Sequence, residues 1–224
     1  MPTLFDYIIN IVSVILSLTA FLYGVFRLYG KGMPAYFMFL IGAVGCYALE
    51  EICAMIYGLC GNIFYNGFQV STLGTMGCFL FILTAEYGIL DKQIKKTEKT
   101  KKAGRIAFLA PAFVIVYFGF WVVTSVGTEY LGAAVLTAFV VLPLAFCSYY
   151  TLKHLLLSNA DDPCIGAVRP CGILLLVFDA ANLAFLTVYF FCPFFVISLV
   201  SLFLALNISA LVLACKKGGS QWKT

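Results

Sequence analysis

Seven long apolar stretches follow one another along the chain, at about 4–28, 34–59, 64–90, 106–126, 129–152, 168–191 and 193–215. Runs of this length have one good solution. About 20 residues rising about 1.5 Å each match a hydrocarbon core of about 30 Å, and a helix satisfies its own backbone hydrogen bonds inside it. Composition agrees: 63% of residues are hydrophobic and 11% are charged, against about 45–50% and about 25% in soluble domains. The expected fold class is therefore an all-α membrane protein, a seven-transmembrane-helix bundle forming one domain over residues 1–217, with 218–224 as a short cytoplasmic tail. The first run has no basic residue ahead of it and no clear small-x-small cleavage site. It is expected to be a retained helix rather than a signal peptide, with the mature chain starting at or near Met1.

Orientation is read from the basic residues. Arg27 and Lys31 follow span 1; Lys92, Lys95, Lys96, Lys99, Lys101, Lys102 and Arg105 lie between spans 3 and 4; Lys153 and Arg169 flank the connection of spans 5 and 6; Lys216, Lys217 and Lys223 follow span 7. These are all 14 Lys and Arg, and all fall in alternate connections. Because short loops rich in Lys and Arg stay on the cytoplasmic side, the N-terminus is expected outside and the C-terminus in the cytoplasm, in a plasma (bacterial inner) membrane. The net charge of +4 is accounted for by that rule and is no sign of nucleic-acid binding. The 92–105 loop is expected to be a solvated linker, lying against anionic lipid headgroups or a separate cytoplasmic partner. The 153–167 connection, with Asn159, Asp161, Asp162 and Pro163, reads as turn-rich.

Pro143 falls near the middle of span 5, where a proline removes a backbone bond and marks a hinge. Pro34, Pro170 and Pro193 are expected at helix starts. Gly42, Gly45, Gly74 and Gly77 offer small surfaces for close helix packing. Nine cysteines include no CxxC pair and no metal-ligand spacing, so no metal is expected. Cys46, Cys53 and Cys60 form a stripe of packing residues; Cys60 and Cys192 are both placed near the outer surface, where a disulfide between them is open. Spans 2 and 6 each carry acid near mid-span, and spans 3 and 7 run loosely alike. Two explanations stand: a 3+1+3 repeat with span 4 as the inverting linker, or the resemblance of all apolar helices by composition.

Span 2 contains CYALEEICAMIYG, with Glu50 and Glu51 in an otherwise apolar phrase. Carboxylates at bilayer depth are costly, so they are expected to face the interior and to be neutral, paired or hydrated. Asp179 lies near the middle of span 6 with Asn182 at i+3, and Tyr47 and Tyr57 flank the acids of span 2. No Lys or Arg lies at that depth. The candidate ligand- or proton-binding set is thus Glu50, Glu51, Asp179, Asn182, Tyr47 and Tyr57, in a pocket opening outward. The competing account is that these acids are protonated hydrogen-bonding links between helices. Glu86 is expected to be an interfacial anchor reached by Lys92 or Arg105, and His154, the sole histidine, a headgroup-level residue.

With one histidine, the multi-histidine hydrolases of seven-helix type are unsupported, and span 7 has no lysine to carry a retinal Schiff base. No P-loop, zincin motif or nucleophile elbow is present. No enzyme, no catalytic residue and no cofactor are expected.

The phrases FRLYGKGMPAYFMFLIGAVGCYALEEI and FQVSTLGTMGCFLFILTAEYGILDK resemble the seven-helix membrane region that precedes the catalytic domains of certain bacterial histidine kinases and diguanylate cyclases. The likeness covers residues 26–92: a basic residue and a proline open span 2, an acid closes the phrase, and an aromatic pair closes span 3. It implies a membrane sensor. The chain departs from that family in having seven residues after Lys217, so the resemblance implies that the output would lie on another protein.

Three functions fit these observations. One is a sensor or receptor-like module that binds a small ligand, cation or proton in the outer half of the bundle and signals to a separate cytoplasmic protein through the 92–105 loop. Another is a small 3+1+3 transporter using its intramembrane carboxylates, although the proline-glutamine pair of the sugar carriers is absent. The last is an accessory subunit of a membrane complex.

Overall fold

The computed structural model describes residues 4–29, 32–59, 70–94, 97–126, 131–157 and 163–222. Its elements are α1 (Leu4–Tyr23) running into a π-helical turn (Gly24–Leu28), α2 (Ala35–Leu59), α3 (Val70–Leu83) running through a second π-helical stretch (Thr84–Leu90) into α4 (Asp91–Gln93), α5 (Glu98–Ala107), α6 (Leu109–Ser125), α7 (Leu131–Leu157), α8 (Pro163–Phe191) and α9 (Phe194–Gln221). Among the described residues seven helices are long and apolar enough to cross a membrane: 4–28, 35–57, 72–93, 98–125, 137–157, 165–185 and 194–221.

Six of the seven close into a ring. In order around it, α1 packs on α2, α2 on α3, α3 on α7, α7 on α8, α8 on α9, and α9 back on α1. α6 lies outside, against α7, and its outward face carries Phe113, Val116, Phe120 and Val123. Exposed apolar side chains of this kind are what lipid contact requires. The interior is filled by a single large core in which Tyr36, Phe37, Tyr47, Phe79 and Phe178 are the bulkiest buried rings.

The spans lengthen at polar ends where hydrophobicity alone gives no signal. Much of the stretch expected to be a solvated linker is helix: α5 starts at Glu98, capped by reciprocal bonds between Thr97 and Thr100. Ala103 and Ala107, one turn apart, are buried, while Lys99, Lys101, Lys102 and Arg105 stay exposed. Small residues on one face and long basic ones on the other make an amphipathic helix that docks under α7. α7 extends to Leu157 and α8 begins at Pro163, which places Pro170 inside a helix rather than at its start. Pro143 lies within α7 as expected. Residues 218–221, expected to be tail, continue α9. There Trp222 stacks on Tyr36 with ring centroids 6.1 Å apart.

Candidate functional site

The Glu50–Glu51 pair is placed by α2 packing against two different neighbours. Gly74 lets α3 approach: a Cβ there would lie 2.7 Å from the Glu50 Cβ and 2.9 Å from the Cys46 carbonyl oxygen. That contact seats Glu50 on the α3 side, where the hydroxyl of Thr75 sits beside its carboxylate. The Oε2 atom of Glu50 is buried and has no hydrogen-bond partner. Glu51, turned about 100° from it, faces α9. Tyr47 donates its hydroxyl to Glu51 Oε1 at 2.6 Å. Ser201 donates to Oε1 at 3.0 Å and approaches Oε2 at 3.3 Å.

Asp179 lies on α8, 2% exposed. Ser148 of α7 donates to its Oδ2 at 3.2 Å, and its Oδ1 is buried without a partner. Asn182 spends one amide hydrogen on its own helix, donating to the Phe178 carbonyl at 2.9 Å. Tyr57, farther along α2, is half-buried. Aromatic rings connect the two acidic positions: Tyr47 meets Phe178 edge-on at 5.6 Å, and Phe178 meets Phe79 at 5.9 Å. The Cys60 end of the open disulfide question lies outside the described residues.

A second polar centre, at the other end of the bundle, was not expected. His154 is 3% exposed rather than at headgroup level, and Glu86 is 1% exposed rather than an interfacial anchor. The His154 Nδ1 atom hydrogen-bonds Glu86 Oε2, and its Nε2 lies 3.2 Å from Asp91 Oδ1. Tyr36 donates to the other Glu86 oxygen at 2.7 Å, and Lys153 pairs with Asp91. Lys92 and Arg105, the partners expected for Glu86, are exposed.

The π-helical stretch explains how one histidine reaches two acids. Residues five apart on an α-helix point about 140° away from each other. An i→i+5 ladder, closed here by the Asp91 N–H on the Glu86 carbonyl, brings them over one another instead. The sequence signal that could have found the centre is the lone histidine at the end of one apolar run and an acid near the corresponding end of another.

A hollow of about 10 Å³ adjoins this second centre and is lined by Tyr36, Glu86, His154 and Arg169, among others. That is about the lower limit for a single water molecule. A larger hollow, about 280 Å³, is an apolar groove between α1, α2 and α3, near Phe21, Gly45 and Phe81. Neither is lined by Glu50, Glu51 or Asp179. Among the described residues no three His, Cys, Asp or Glu side chains converge as a metal-ligand set.

Seven long apolar helices around a core that holds hydrogen-bonded acids define a multipass membrane protein. No protein-family model, no curated protein and no solved structure matches the chain.

Proposed function

We propose that this chain is a multipass membrane sensor module whose outer carboxylate centre, Glu50 with Glu51, takes up a proton or a small cation and passes the change to a separate cytoplasmic protein. The observation that carries this reading is the buried, unpartnered Oε2 of Glu50. Burying a carboxylate without compensation is costly, and the cost is removed when a proton or a cation neutralises it. Glu51 is already tied to Tyr47 and Ser201, which leaves Glu50 as the group free to respond. Its response has a route inward: Tyr47 packs on Phe178, the neighbour of Asp179. Asp179 holds α7 through Ser148. Pro143 gives α7 a hinge, and α7 carries α5 with its exposed basic face. The orientation with that face in the cytoplasm follows the distribution of Lys and Arg, and the plasma membrane is the proposed location.

Thermal unfolding of the purified chain in lipid nanodiscs, across pH and with added Na⁺, K⁺, Mg²⁺ or Ca²⁺, tests the reading. If a proton is the ligand, Tm falls as pH rises, because the folded state then loses a proton it binds more tightly than the unfolded chain does. If a cation is the ligand, Tm rises with its concentration. Either response is expected to disappear in Glu50→Gln. A wild-type Tm insensitive to both, or a response that survives Glu50→Gln, sinks the assignment.

The carrier reading has one observation in its favour, the position of span 4 outside a ring of the other six, as a 3+1+3 plan requires. Accumulation of a labelled solute in proteoliposomes would favour it over the sensor.

A further inference from the structure

Serine and threonine hydroxyls in this bundle commonly fold back on their own helix. Ser13 donates to the Ile9 carbonyl, Ser17 to Ser13, Thr84 to Leu80 and Ser125 to Trp121, and Ser148 shares its one proton between the Leu144 carbonyl and Asp179 Oδ2. Thr151 does not. It is 0% exposed, yet its hydroxyl oxygen has no hydrogen-bond partner. Thr151 lies three residues from Ser148, which holds Asp179, and three from His154, which holds Glu86. Each step is about 4.5 Å along α7 and about 60° around it. Thr151 makes no direct hydrogen bond to either neighbour, and a bridging water on each side would connect them. A second unpartnered atom, Asp179 Oδ1, lies at the far end of the same stripe.

We propose that this stripe is a proton relay, running from the α4 end of the bundle through Asp91, His154 and Glu86 to water held at Thr151, and on to Asp179. The entrance is open, since Asp91 is 19% exposed and the hollow beside His154 reaches the exposed Arg169. A proton arriving at Asp91 binds His154 at Nε2, and the imidazolium releases the proton on Nδ1 to Glu86. Protonated Glu86 gives its proton to water at Thr151, that water passes one of its own onward, and the Asp179 carboxylate receives it. Glu86 and water end as they began, the imidazole is left as its Nε2–H tautomer, which a ring flip or return of a proton to Nδ1 resets before the next passage, and one proton has moved.

The groups facing His154 fit this role. Glu86 and Asp91 approach from the π-helical stretch and α4, Tyr36 of α2 acts through Glu86, Arg169 of α8 lines the shared hollow, and Tyr150 and Lys153 lie on α7 itself. The Lys and Arg side chains of α5 are exposed. The relay stands whether or not the Glu50–Glu51 centre takes a proton.

Infrared spectroscopy of the full chain in nanodiscs, transferred into D₂O, tests it through the exchange rate of the Asp179 carboxyl, identified as the C=O band lost in Asp179→Asn. Thr151→Val is expected to slow that exchange at least tenfold and His154→Gln comparably, while Thr151→Ser keeps the wild-type rate. Because the chain has one histidine, a single imidazole NMR signal reports whether the Thr151→Val fold around His154 is preserved. Unchanged exchange in Thr151→Val, equal slowing in Thr151→Ser, or no band sensitive to Asp179→Asn would each overturn the relay. None of these depends on Glu50, so failure of the sensor reading is seen separately.

Discussion

Two neighbouring glutamates in one helix do different work because their surroundings differ. Glu51 accepts from Tyr47 within α2 and from Ser201 across the interface to α9, so it ties two members of the ring together. Glu50 has an oxygen left over. Tyr47→Phe removes one donor from Glu51 without emptying the space the ring fills, and the unfolding free energy is expected to drop by about 0.5–1.5 kcal/mol, the usual range for one hydrogen bond. Equilibrium unfolding in mixed micelles measures it; no loss would mean that Ser201 alone satisfies the carboxyl. That the acids of 46–58 and Asp179 turn into the bundle was legible in the sequence, since charge in an apolar run is costly to leave in lipid. Which glutamate is tied was not, because the angle between neighbours is known while the identity of the helix standing in each direction is a property of the packed ring.

At the scale of elements, the runs that had to be helix were legible from hydrophobicity, and the departures lie where polar residues extend them. α5 and the last turns of α7 and α9 carry Lys, His or Gly and join the fold through packing: Ala103 under α7, His154 in the interior, Gly218 against Phe37 and the Ala167 carbonyl. The π-helical stretch is a further departure, because a shift in hydrogen-bond register from four to five residues leaves apolar periodicity nearly unchanged over one or two turns. It nevertheless decides the centre around His154. Deleting Gly88 from Thr84–Leu90 puts Glu86 and Asp91 four residues apart, a spacing that an α-helix itself brings onto one face, so the stretch is expected to relax to α-helix with both acids still on His154. The imidazole NMR signals of the sole histidine are then expected to stay close to those of wild type. Signals showing that the Nε2 side has lost its acceptor would mean that the π-helical register itself, and not the stacking of Glu86 and Asp91, holds the ring.

At the scale of the whole molecule, a ring of helices fixes which side chains meet but not which end faces which compartment, since the bilayer core looks the same from both directions. Orientation rests on charge, and the structure sharpens where that charge is displayed. The basic side chains of α5 form one exposed face on a helix anchored by Ala103 and Ala107, next to the centre built from Asp91, Lys153 and His154. Span 4 is also the span least held by its neighbours, with 17% of its apolar window buried against 28–44% for the other six. Its direction across the membrane therefore depends little on packing and strongly on the side at which the basic face of α5 is retained. A fluorescent reporter that matures only in the cytoplasm is expected to light up when inserted between 94 and 97 or fused after Trp222, and to stay dark between 127 and 130. A phosphatase active only outside is expected to give the opposite pattern at all three positions. If the patterns are reversed, the basic α5 face meets the outer compartment, and the route from Glu50 through α7 to a cytoplasmic partner is lost even though every contact inside the bundle stands.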